Sequence, residues 1–151
     1  MKITARADYA VRAVAELAAT KDQHLTADKI SAAQAIPQPF LAAILQDLNR
    51  AGIVQSRRGT DGGHRLVRPP AEVSLADVIR AIDGPLAGVG GQAPEEISTT
   101  GPAAILPQVW VATRSALREV LENVTFADLV AERLPPAVRR RIDAPGAWHR
   151  R

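Results

Sequence analysis

Residues 36–68 constrain this chain most. They read IPQPFLAAILQDLNRAGIVQSRRGTDGGHRLVR and carry three signals in fixed order. First comes a helix with a proline near its start: Leu41, Ile44, Leu45 and Leu48 recur at i, i+3, i+4 and i+7, one apolar stripe at the helical period. Gly52 follows its end, where a left-handed cap is easiest for glycine. Then comes a two-stranded ribbon, residues 53–58 and 64–68, joined by Gly59-Thr60-Asp61-Gly62-Gly63. Asp-Gly and Gly-Gly supply the positive φ that hairpin turns need. Arg57, Arg58, Arg65 and Arg68 crowd this ribbon. A short helix followed by a basic, glycine-tipped ribbon is the pattern of a winged helix-turn-helix, whose helix fits the DNA major groove while its wing rides the backbone or the minor groove. Taken alone, helix and ribbon fit an ordinary helix–hairpin with a solvated charged turn at least as well, so the upstream segment decides.

That segment completes the module. Thr4 is placed to cap ARADYAVRAVAELAAT, in which Ala10, Val11, Val14, Leu17 and Ala18 form one apolar stripe. Thr26 caps a short helix, ADKISAAQ, with Ile30 and Ala33 expected to face inward. Ala35-Ile36-Pro37 makes the turn into the next helix without the glycine common there. Three helices and a ribbon within residues 1–83 suit a DNA-binding domain, mainly α with a small β-wing, its helix-turn-helix running over residues 26–49. Base edges should meet the start and outer face of the third helix: Gln38, Pro39, Ala42, Ala43 and Gln46. Gln38 suits adenine N6 and N7, or equally a helix cap or phosphate contact, and the alanines suit thymine methyls. The wing should contribute Arg57, Arg58, Gly59, His64 and Arg65, and the first helix Thr4, Arg6 and Tyr9.

Charge follows the same division. Residues 1–68 hold ten Lys/Arg against six Asp/Glu, residues 69–133 four against nine, and residues 134–151 five against one. Phosphate neutralisation accounts for a basic first half, as does chance at such small counts. No apolar run is long enough to span a bilayer, and no signal segment opens the chain, so a cytoplasmic protein is expected. Cysteine is absent, which removes disulfides, cysteine-ligated zinc and redox thiols. No nucleophile–base pair, phosphate-cradling glycine motif or metal constellation suggests an enzyme.

The remainder reads as a dimer and sensor half. Ser74 and Asp77 form a capping box opening a helix with Leu75, Val78, Ile79 and Ile82 on one face, and Asp83-Gly84-Pro85 stops it. Residues 84–104 lose all periodicity and are expected to be a sensor-type loop. Residues 105–124 form a long helix in which Leu106, Trp110, Thr113, Leu117, Val120, Leu121 and Val124 keep close to a 3.5-residue spacing. That seam suits a second copy, or equally the chain's own domain. Thr125 and Asp128 make a second capping box for a last helix over residues 126–134. Pro135-Pro136 closes it, and the basic tail, residues 135–151, is expected to be at least partly disordered.

The opening KITARADYAVRAVAELA, the wing SRRGTDGGHRL, the helix SLADVIRAIDGP and the closing VTFADLV resemble the bacterial Rrf2 family of IscR/NsrR/CymR-type winged-helix transcription regulators, over about residues 1–134. The resemblance implies a homodimer in which the long helix crosses the two-fold axis. Each subunit would place its helix-turn-helix on one half-site of a roughly palindromic double-stranded operator, most often to repress. Trp110, Thr113, Leu117, Val120, Leu121 and Val124 are then the expected dimer interface. Arg58 matches the family arginine that enters the minor groove. His64 replaces the tyrosine usual in the wing and is expected to be structural or to contact phosphate. Pro39 and Ala42 stand where related regulators often have Ser and Glu, so the operator should differ.

Many members hold an iron–sulfur cluster on three cysteines in the loop. Here those places fall on Gln92, Ser98 and Ala104, with a further ligand position on Pro107. Asp8 occupies the place of an acidic ligand used by some members and is expected to be a surface charge. Thiolates are what such clusters require, so no cofactor is expected. Control would pass to a small-molecule or protein effector at the loop and dimer helix.

Overall fold

The computed structural model describes residues 3–21 and 23–149. Thr4 caps α1 (Ala5–Ala19), its hydroxyl accepting from the Ala7 amide at 3.0 Å. Ala7, Ala10, Ala13, Val14, Leu17 and Ala18 are buried along one face. Four of these are alanines, so neighbouring backbones can approach closely, and α1 touches four other helices. Thr26 caps α2 (Ala27–Gln34). Here Ile30 is buried but Ala33 is exposed, contrary to the inward placement expected from spacing. The i+4 position takes the inner contact instead: Gln34 bonds Arg12 through its side-chain and backbone oxygens and donates to Glu16.

Ala35 ends α2 in the left-handed region, φ 51° and ψ 43°. Ser31 ties the turn, its carbonyl accepting from Ile36 N–H at 3.1 Å and its hydroxyl donating to Ile36 O at 2.7 Å. The next helix, α3 (Gln38–Arg50), buries the four predicted residues, Leu41, Ile44, Leu45 and Leu48. Each such burial is worth roughly 1.5–3 kcal/mol against exposure. Gly52 follows at φ 70°.

The wing pairs β1 (Val54–Arg57) with β2 (Gly63–Leu66) antiparallel, Val54 opposite Leu66 and Arg57 opposite Gly63. Leu25, just before α2, adds a bridge on the other edge of β2: its N–H donates to His64 O at 2.9 Å, and His64 N–H donates to Leu25 O at 2.7 Å. Gly63 has φ 138°, and a Cβ there would meet the Leu25 carbonyl, so only glycine suits this crossing.

Both capping boxes form, Ser74 with Asp77 at the start of α4 (Leu75–Asp83) and Thr125 with Asp128 at the start of α6 (Phe126–Val130). The two starts bridge each other: Leu75 N–H donates to Val124 O, and Phe126 N–H to Val73 O, each at 3.0 Å. Phe126 therefore lies fully buried in the core built by α1–α4. The last predicted helix is shorter than residues 126–134. Glu132 turns left-handed at φ 51°, and Arg133 N–H reaches back to Asp128 O, a Schellman-type end.

Residues 84–104 are not featureless. They hold two short 3-10 turns, Pro94–Glu96 and Gly101–Ala103, and bury Leu86 and Pro94. The first turn packs on α5 (Leu106–Leu121). The basic tail is also more ordered than expected. Pro136 sits at the first position of α7 (Pro136–Ile142), where a missing N–H costs nothing, and Val138 is buried. The last two tail residues lie outside the described residues.

Candidate nucleic-acid interface

Burial of one stripe of α3 turns the opposite stripe outward. Gln38, Pro39, Ala42, Ala43 and Gln46 are all exposed, as is Asn49 one turn further on. Ala42, Ala43, Gln46 and Asn49 share an open groove of about 780 Å³ with Ser56 and His64 of the wing. Asn49 Nδ2 donates to Ser56 Oγ at 3.2 Å, and Ser56 Oγ lies 2.9 Å from His64 Nδ1. This polar chain fixes the wing's angle to α3. Burial, with a smaller effect from His24, pushes the His64 imidazole below its usual range. A neutral ring beside Ser56 follows, a bracing role rather than a cationic phosphate contact.

The wing divides its arginines. Arg57 and Arg58 are exposed, and among the described residues neither is within ion-pair distance of a carboxylate. Gly59 begins the tip at φ 105° and accepts from Gly62 N–H at 2.9 Å. Arg65 is half-buried opposite Gln55, whose amide oxygen, turned toward the guanidinium, accepts from Nε and Nη2. Arg65 thus braces the ribbon, while Arg57 and Arg58 are free to meet phosphate or base.

Other expected contacts are already engaged. The Thr4 hydroxyl donates to Asp83 at 2.7 and 3.0 Å to its two oxygens. Arg6 pairs with Asp47 on α3, which also holds Arg50 at 3.2 Å. Gln38 donates to Asp28 at 2.7 Å. Tyr9 stacks obliquely on Phe40 at 6.4 Å, with Arg12 over its ring at 5.4 Å. Asp8 is exposed and pairs with Arg12 at 3.1 Å. Thr4, Arg6 and Tyr9 therefore position α1 against its neighbours and do not line the groove. Sequence reasoning missed Asn49, which shares the face of Ala42 and Gln46 by simple periodicity, and Ser56, which only the fold brings to His64.

On the distal side, α5 buries none of its 16 residues fully. Trp110, Leu117, Val120 and Leu121 are half-buried against their own subunit. Thr113 is exposed, its hydroxyl donating to Val109 O at 2.9 Å. Ile105, Val109 and Val111 point outward at 66%, 46% and 39% exposure. Val124 cannot belong to a partner-facing seam: it is 2% exposed, used up in the bridge between the starts of α4 and α6.

Residues 3–132 match the Rrf2 family, described as iron-dependent transcriptional regulators. The Mycobacterium tuberculosis protein Rv1287, described provisionally as an HTH-type transcriptional regulator, is 43% identical over 144 residues, covering 95% of this chain and 89% of the relative. The HTH-type transcriptional regulator CymR of Bacillus subtilis is 31% identical over 132 residues, covering 87% and 91%. The solved structure of that CymR, the global cysteine regulator of its organism, superposes with a TM-score of 0.74 at 27% identity over 87% of this chain and 98% of that one.

Proposed function

Because the chain belongs to the Rrf2 family of DNA-binding transcriptional regulators, we propose that it is a homodimeric repressor that reads a roughly palindromic operator without an iron–sulfur cluster. The observation that carries the reading is the outward face of α3 set across an open groove from a wing with two exposed arginines. Ala42, Ala43 and Gln46 face base edges, with Asn49 beside them, and Arg58 at the wing tip enters the adjacent minor groove. Arg57 neutralises phosphate. Gln38 pairs an adenine edge through both amide atoms by releasing Asp28.

The exposed Ile105, Val109 and Val111 support a second copy of the chain, since they leave apolar surface beside the half-buried side of α5 in water. Two such subunits place two α3 helices on half-sites one helical turn apart. Occupying a promoter this way blocks transcription sterically.

The family's iron chemistry does not fit these residues. The chain has no cysteine. At the ligand places Ala104 and Pro107 offer no side-chain donor, Gln92 and Ser98 are exposed neutral groups, and Asp8 is engaged with Arg12. Control therefore falls to an effector at residues 84–104 and α5, which must prefer one state of the dimer to act at all.

Genome-wide footprinting with the purified protein tests the reading. Expected is a short inverted repeat, bound more weakly as salt rises. Protein purified anaerobically should be colourless, free of iron, and indifferent to chelator and reductant. Recovery of no common site refutes the regulator, and a brown protein with stoichiometric iron refutes the cluster-free form.

A further inference from the structure

The effector-controlled reading above leaves the effector's chemistry open, and α4 and α5 supply an answer. Arg80 near the end of α4, with Arg114 and Arg118 one turn apart on α5, lines a pocket of about 350 Å³ together with Gly84, Pro85 and Leu86. Arg114 is well shielded, its side chain 16% exposed, and it holds Glu95 at 2.6 Å. That hydrogen bond keeps the Glu95 carboxyl below its usual range. Glu122 pairs with Arg80 and lies 3.7 Å from Arg118. Three guanidinium groups thus share two carboxylates, and neither Glu95 nor Glu122 lines the pocket. The cavity's own lining carries three guanidinium groups and no carboxylate, beside the apolar wall of Pro85 and Leu86. Its volume lies at the small end of small-molecule sites, which run about 300–1,000 Å³.

We propose that this pocket binds a small organic oxyanion, a carboxylate or a phosphate, whose occupancy controls the DNA-binding face. Guanidinium forks match the paired oxygens of either group, and a partly buried setting strengthens the attraction. An anion entering here competes with Glu122 for Arg80 and Arg118. Arg80 lies three residues before Asp83, which lines the adjoining cavity with Arg114. Asp83 in turn accepts from Thr4, the cap of α1, and Arg6 two residues on pairs with Asp47 of α3. Each link from the pocket wall to the DNA-facing helix is a direct side-chain contact or one turn of helix. A shift at the end of α4 therefore has a continuous path to α3.

The test uses the full chain. Inorganic phosphate and, separately, citrate are titrated against sodium chloride at matched ionic strength, following both thermal unfolding and operator binding. The expected result is a saturable rise in Tm with one probe, which identifies the source of the oxyanion, and a change in operator affinity with the same midpoint. In Arg118→Gln, where the side chain is half-exposed and the fold should survive, the probe's apparent affinity falls at least about tenfold. Arg114→Lys, which keeps charge but loses the fork, should also weaken binding. The proposal is overturned if chloride alone reproduces the shift, if Arg118→Gln binds like wild type, or if saturable binding leaves operator affinity unchanged. Operator binding without any probe stands apart: its absence defeats the regulator itself, whereas intact binding with no response defeats only this site.

Discussion

Replacing Ala35 by glycine should stabilise the protein by about 0.5–1 kcal/mol. Ala35 closes α2 at φ 51° and ψ 43°, and holding an L residue there costs roughly 1–2 kcal/mol because Cβ crowds the following carbonyl. Glycine escapes that cost but gains freedom in the unfolded chain, which returns about 0.4–1 kcal/mol. The alanine is exposed, so little burial is lost with its methyl. The bonds that hold the turn run from Ser31 to the backbone of residues 35 and 36 and survive the change. The balance favours glycine, and in a chain of this length it raises Tm by about 1–4 °C. Urea and thermal denaturation of both proteins measure it. The m-value should stay constant, and so should operator affinity, because Ile36 and Leu41 in the core fix the direction of α3. A lower midpoint for Ala35→Gly would refute the reasoning, showing that the alanine is held without strain or that its methyl packs.

Arg58→Ala should weaken specific binding by roughly 1–3 kcal/mol at matched salt, and Arg57→Ala should instead lower the salt slope by about one; equal affinity for wild type and Arg58→Ala removes Arg58 from the interface. Val109→Asp, at an outward position of α5, should yield folded monomers with little operator affinity; sedimentation showing a monomeric wild type defeats this. His64 is pushed down by burial, so an unfolded chain takes up its proton first. The stability owed to the neutral ring is present above about pH 6.5 and is lost as pH falls below it. His64→Gln should flatten that fall in denaturant midpoint, and an unchanged fall excludes His64 as its source.

What the sequence made legible was local. The α3 stripe of Leu41, Ile44, Leu45 and Leu48 and the boxes at Ser74 and Thr125 each lie within a few residues, and each appears as read. Ala35 carries no turn signal of its own, so its left-handed cap was invisible. Pro135-Pro136 is consistent with a stop or a start, and only the burial of Val138 shows a start. Val124 kept the spacing of the α5 seam, but a pairing with residues some fifty positions away claimed it. The groove was half legible. Periodicity gave the face of α3, while the Asn49–Ser56–His64 chain and the ties that hold Thr4, Arg6 and Gln38 depend on contacts between distant segments.

The Leu25 bridge makes the ribbon a modular part. A lone two-stranded hairpin is marginal in water, yet this one is pinned close to its turn, where His64 bonds Leu25 and Gly63 admits the crossing backbone. Residues 58–61 are exposed beyond the last pair, Arg57 with Gly63, and close on themselves through the Gly62 N–H to Gly59 O hydrogen bond. Length and composition can therefore drift at the tip while the core stays as it is. A lineage could lengthen or shorten its reach along the DNA backbone through this loop alone, and an engineer could exchange tips between relatives by cutting between Arg57 and Gly63.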